Sequence, residues 1–149
     1  MRCAILALAM IMAFAASAAS AGELTRVPSN FGVKDTIDRL LTALDARGLK
    51  VAARVDHGAA AKAAGMEMPP AEVVMFGNPK LGTPLMLSNP EVAFDLPMKI
   101  AVWQEKDGKV WLGYLSPDLL KARHALTGVE EQLKTMTGAL AGLAKAATE

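Results

Sequence analysis

The chain has 149 residues, 52% hydrophobic and 21% charged, with 16 basic against 15 acidic side chains. That length suits one domain with a sizeable core, and so balanced a charge excludes the basic footprint of a nucleic-acid binder. A single cysteine, Cys3, excludes an internal disulfide and a thiolate zinc site.

Residues 1–21 read as a signal peptide. Arg2 precedes an apolar stretch from Ala4 to Ala16, and Ala19-Ser20-Ala21 fits the small-x-small rule for cleavage. The run is short and Ala-rich, whereas a membrane span needs about 20 predominantly apolar residues, so no membrane anchor is expected after cleavage. Cys3 lies too early for a lipidated N-terminus and leaves with the leader. The expectation is export to the periplasm as one domain, residues 22–149, in which 15 basic face 15 acidic side chains.

"LTRVPS" at 24–29 is a short candidate strand. In "NFGVKDTIDRLLTALDARG", Val33, Ile37, Leu40, Leu41 and Leu44 recur at helical spacing, and Gly48 ends the helix. "LKVAARVDH" alternates as a strand, with Leu49, Val51, Ala53 and Val55 expected on one buried face. "GAAAKAAG" is a short helical turn, and "MEMPP" a connector. "AEVVMFG" reads as a continuous apolar strand central in the sheet. "NPKLGTPLMLSNP" holds a Pro-initiated turn and a short helix expected from Thr83 to Asn89. Lys99–Glu105 and Lys109–Leu115 alternate around Lys106-Asp107-Gly108 as a hairpin, with Trp103 and Trp111 as a cross-strand pair. Ser116 caps a helix that has Pro117 at its first position. After Gly128, the residues Val129, Leu133, Met136, Leu140 and Leu143 mark a last helix, a C-terminal extension from about 128. The fold class is α+β: a two-layer domain whose four- to five-stranded, mostly antiparallel sheet carries helices on one face.

The segment "VVMFGNPKLGTPLM" breaks an apolar run with Gly-Asn-Pro and then Gly-Thr-Pro. It is not a Walker A loop, because Thr83 and Pro84 follow Gly82 where Lys and Ser/Thr would be needed. Its residues favour a strand-end corner over an anion site on backbone N–H groups at the start of the Thr83 helix.

The two histidines, His57 after Asp56 and His124 after Arg123, can act as bases or ligands. Each also has a plain reading: His57 as a strand-end residue, His124 as a cation at a helix C-terminus. No GxSxG elbow supplies a nucleophile. Thioethers at Met66 and Met68, with His57, compose a soft-metal set suited to Cu(I), but Met75, Met86 and Met98 sit where methionine fills core gaps. Packing outweighs metal, and no cofactor is assigned.

"RVDHGAAAKAAGMEMPPAEVVMFGNPKLGTPLM", "FDLPMKIAVWQEKDGKVWLGY" and "KARHAL" in that order resemble the DUF302 family over Phe31–Leu126. The resemblance implies a compact α+β domain without an assigned reaction. The family's signature falls on Asp56, His57, Gly77, Asn78, Pro79, Gly82, Thr83, Met86, Asp95, Pro97, Trp103, Tyr114, Arg123 and His124. Such residues at element ends suggest one pocket at a sheet edge, in which His57, Asn78, Thr83, Asp95 and His124 converge. Arg123 would clamp a small polar or anionic ligand, and Tyr114 would add a hydroxyl. Three functions are open: a binding or accessory domain, a homodimeric interaction module joined at an edge strand, and a histidine-dependent acid–base enzyme. Binding ranks first, because no activated nucleophile can be named.

Overall fold

The computed structural model describes residues 24–149. The leader expected over residues 1–21 therefore lies outside the described residues. Five strands form one antiparallel sheet in the order β1-β5-β4-β3-β2. The strands are β1 (Leu24–Pro28), β2 (Lys50–Asp56), β3 (Ala71–Gly77), β4 (Met98–Gln104) and β5 (Val110–Leu115). The helices are α1 (Val33–Ala46), α2 (His57–Ala63), α3 (Pro79–Ser88), α4 (Pro117–His124) and α5 (Glu130–Thr148), with a 3-10 turn over Pro90–Phe94.

The helices cover one face. Ile37, Leu40 and Leu44 of α1 and Leu140 and Leu143 of α5 are buried against Val74, Ile100, Val102 and Leu112. Gly48, at φ +63°, ends α1 as its position requires. α5 is no appendage to this core: it also contributes Leu133, Met136, Ala144 and Ala147. Among the described residues, no helix is long and apolar enough to cross a membrane.

Three local expectations change. β3 is an interior strand, but its burial alternates, with Glu72, Val74 and Phe76 inward. The inward carboxylate of Glu72 is held by the Arg54 guanidinium of the neighbouring strand. β2 is exposed throughout rather than buried on one side. It lies at the sheet edge, and a bulge between Val51 and Ala53 breaks the alternation. Val51 consequently shares a row with Phe76, while Ala53 and Val55 share the opposite row with Met75 and Val73. Third, α3 begins four residues earlier than expected. Asn78 Oδ1 accepts from Lys80 N and Pro79 takes the first turn, so Thr83 is mid-helix and offers no free helix N-terminus.

The hairpin forms as expected, turning at Gly108 with φ +87°. Trp103 stands directly opposite Trp111 on the uncovered face. Arg26 lies 4.4 Å from the Trp111 ring centroid and 5.3 Å from that of Trp103. Arg26 is also paired with Glu105 at 2.5 Å, and Glu105 accepts from Trp111 Nε1 at 3.0 Å. Room for the Trp103 ring comes from Gly113, where a Cβ would stand 2.8 Å from Cη2 and Cζ3.

Gly113→Ala is therefore expected to displace the indole and to destabilise the domain by about 1–3 kcal/mol. The midpoint of urea unfolding measures this, and an unchanged midpoint would show that the ring moves freely.

Candidate functional site

Asp95 follows the 3-10 turn, whose start is organised by Asn89. The Asn89 Oδ1 accepts from Glu91 N at 3.0 Å, while its Nδ2 donates to the carbonyl of His124 at 2.9 Å. Ser88 adds a second clamp, donating to Thr127 O at 3.0 Å and accepting from Thr127 N at 3.1 Å. The three bonds to His124 and Thr127 dock the end of α4 on the segment that carries the turn. Ser116 caps α4 through Asp118 N, and buried Leu120 and Leu126 anchor it to the core. The helix ends at Ala125 in the left-handed region, φ +48°.

This docking brings three ionisable groups together. His124 Nε2 lies 2.7 Å from Asp95 Oδ2, and Arg123 Nη1 donates to Oδ1 at 2.8 Å and Oδ2 at 2.9 Å. Asp95 and His124 are 15% and 8% exposed, whereas Arg123 is 48% exposed. The hydrogen bond from His124, with a further one from Arg123, holds the Asp95 carboxyl below its usual range despite the opposing effect of burial. Since an ionised carboxylate only accepts, Nε2 carries the proton. His124 Nδ1 has no partner among the described residues, yet no buried side-chain nitrogen or oxygen there lacks one. That nitrogen is therefore not fully buried, and His124 borders a surface cleft. The cleft is about 400 Å³, lined by Glu91, Phe94, Asp95, Arg123 and His124, with Phe94 92% exposed.

The other expected site residues lie elsewhere. His57 is the exposed first residue of α2 rather than the last of a strand. Its neighbour Asp56 is level with Glu72 and Val102, whereas Asp95 precedes Met98. Four rises of about 3.3 Å each separate Met98 from Val102, so His57 and His124 occupy opposite ends of the sheet. Asn78 caps α3, and Thr83 is exposed on that helix. Tyr114 packs half-buried against the core on the helix-covered face, where burial pushes its phenol up. Met66 and Met68 are exposed in another cleft, beside Asp56, Lys62 and Glu67. Among the described residues, no group of three or more His, Cys, Asp or Glu side chains could hold a metal ion. Met98 is a core residue.

Sequence reasoning overlooked Asn89 as the organiser of the site. An Asn before Pro90 is a helix-cap signal that could have found it. It also missed Lys99, whose Nζ donates to the carbonyls of Asp95 at 3.4 Å and Pro97 at 3.2 Å.

The profile of one family, "Domain of unknown function DUF302", matches residues 25–143. The chain belongs to this family. A crystal structure described as an uncharacterized conserved DUF302 protein from Bacillus stearothermophilus shares the fold, with a TM-score of 0.74 at 22% identity. The match covers 83% of this chain and 97% of that one. Two relatives from Brucella suis and Brucella melitensis, named fluoride-specific ion channels FluC 1 and FluC 2, are each 43% identical over 103 residues. The match covers 69% of this chain but only 41% and 38% of theirs. This DUF302 chain thus matches about two fifths of the length of those relatives.

Two outcomes are expected. A carboxyl depressed by folding stabilises fully above its unfolded value of about 3.9, and that contribution fades as pH falls through the lower folded value. Asp95→Asn should cost about 1–3 kcal/mol near neutrality and should flatten the acid side of the urea-unfolding profile below about pH 4. Parallel profiles for wild type and variant would refute this. Ala125→Gly should raise stability by about 1 kcal/mol by relieving the left-handed backbone, read as a higher thermal midpoint.

Proposed function

We propose that this chain is an exported binding or accessory domain that takes a small carboxylate or oxyanion at the Asp95–Arg123–His124 cleft. The observation that carries the reading is the division of donors on Arg123. Its Nη1 is spent on Asp95, while Nη2 and Nε make no hydrogen bond with the described residues. A guanidinium anchored at one nitrogen offers its remaining N–H groups in a restricted geometry, which lowers the entropic cost of binding. The exposed Phe94 ring adds an apolar wall, and the carboxylates of Glu91 and Asp95 in the lining confine an anion to the Arg123 side. The cleft lining contains no hydroxyl or thiol, which favours recognition over nucleophilic catalysis.

Export rests on the leader reading of residues 1–21. The accessory role draws support from the relatives named as fluoride-specific channels, in which the similar stretch is part of a longer chain. An edge-to-edge homodimer through β2 is disfavoured by the bulge in that strand and by its charges at Lys50, Arg54 and Asp56. A second reading, histidine acid–base catalysis, is favoured by the Asp95–His124 pair, in which a carboxylate orients an imidazole whose other nitrogen is open.

Native mass spectrometry of the protein purified from its own periplasm should reveal a retained small acidic mass. Arg123→Gln should weaken its binding by about tenfold or more. Undiminished retention in that variant overturns the assignment. Turnover of the captured compound that is lost in His124→Asn establishes the second reading.

A further inference from the structure

The Gly-Asn-Pro and Gly-Thr-Pro segment takes no part in the Asp95 cleft. Gly77, Asn78, Gly82 and Met86 instead line a separate groove of about 430 Å³, walled on one side by Lys50 and Ala52 of β2. A volume of this order falls within the range of small-molecule sites. Behind the groove, a cavity of about 50 Å³ lies among Phe76, Met98, Met136 and Leu140. Gly77, Asn78 and Gly82 border both spaces.

Packing does not account for the two glycines. Neither has a positive φ. A Cβ at Gly77 would stand 3.6 Å from Pro97 Cβ, and one at Gly82 would stand 3.6 Å from Leu96 Cδ1, both ordinary contacts. Gly82 also lies inside α3, where alanine would favour the helix. What their missing side chains do is keep open the strip that groove and cavity share. The groove is otherwise lined by apolar residues, with Met86 as a deformable wall. Lys50 is its one charged lining residue and has no ion-pair partner among the described residues. Asn78 spends its Oδ1 on the α3 cap, which leaves its Nδ2 as a donor.

We infer that this groove binds an aliphatic acyl chain ending in a carboxylate. The chain lies over Gly77 and Gly82, and the carboxylate meets Lys50 and the Asn78 amide. The mostly apolar lining suits a hydrocarbon body, and a cationic head would be repelled by Lys50. The site is separate from the Asp95 cleft and stands or falls independently of it.

Isothermal titration of the purified protein with hexanoate, octanoate and decanoate tests the inference. Affinity should rise by about fourfold per added methylene. Lys50→Glu should weaken decanoate by about tenfold and decanol by less than about twofold, because the alcohol carries no charge. Ala52→Trp, at the exposed bulge, should block both ligands while keeping the wild-type urea midpoint; Gly82→Leu should block them from the opposite wall. Affinity independent of chain length, equal loss of decanoate and decanol in Lys50→Glu, or wild-type binding by folded Ala52→Trp would each overturn it.

Discussion

The structure depends on one apolar surface: the inward row of a five-stranded antiparallel sheet, removed from water by α1 and α5. Val74, Ile100, Val102 and Leu112 contribute from the strands, and Ile37, Leu40, Leu44, Leu140 and Leu143 from the helices. Because side chains alternate with a period of two, a slip of one residue in any interior strand would turn its apolar row into solvent. Burial on one side thereby sets the register of β3, β4 and β5 together. It also sets which strand ends and connectors become neighbours.

Polar chemistry is pushed to the margins by that constraint. Glu72 is the buried charged exception on the inward row, and Arg54 from the edge strand offsets the cost of its burial. Elsewhere the charged groups gather where strands give way to connectors. Asp95 stands just before β4, and His124 and Arg123 close the helix that follows β5. Their meeting depends on backbone bonds made by Asn89 and Ser88, neither of which faces the cleft as a lining residue. The ionisable trio is thus held by neutral clamps. Asp95 can accept hydrogen bonds from both Arg123 and His124 because it is mostly, but not wholly, removed from water.

The uncovered face follows a different logic. There Trp103, Trp111 and Arg26 shield one another, and Glu105 ties the cluster at its rim. Gly113 permits this by leaving a flat patch of backbone for an indole ring. Gly77 and Gly82 leave space of another kind, since none of the described residues fills the groove they border. Glycine in this fold therefore serves turns, a stacked ring and an open groove, and only the neighbours distinguish these uses.

Local sequence patterns were enough to specify the α+β class, the Asp107-Gly108 hairpin, the Ser116 cap and the amphipathic α1 and α5. Each of these rests on local periodicity or local capping, which neighbouring residues specify unaided. The Trp103–Trp111 pairing was legible for the same reason, because hairpin register follows from its turn. Tertiary structure alone decided that β2 lies at an edge with a bulge, that Thr83 sits within α3, and that His57 and His124 stand at opposite ends of the sheet. It also decided that Asp95, Arg123 and His124 meet across some 28 residues of chain. Which ends of a sheet adjoin is a consequence of strand order, and strand order is settled by the shared burial of distant segments, a property that no short window of sequence contains.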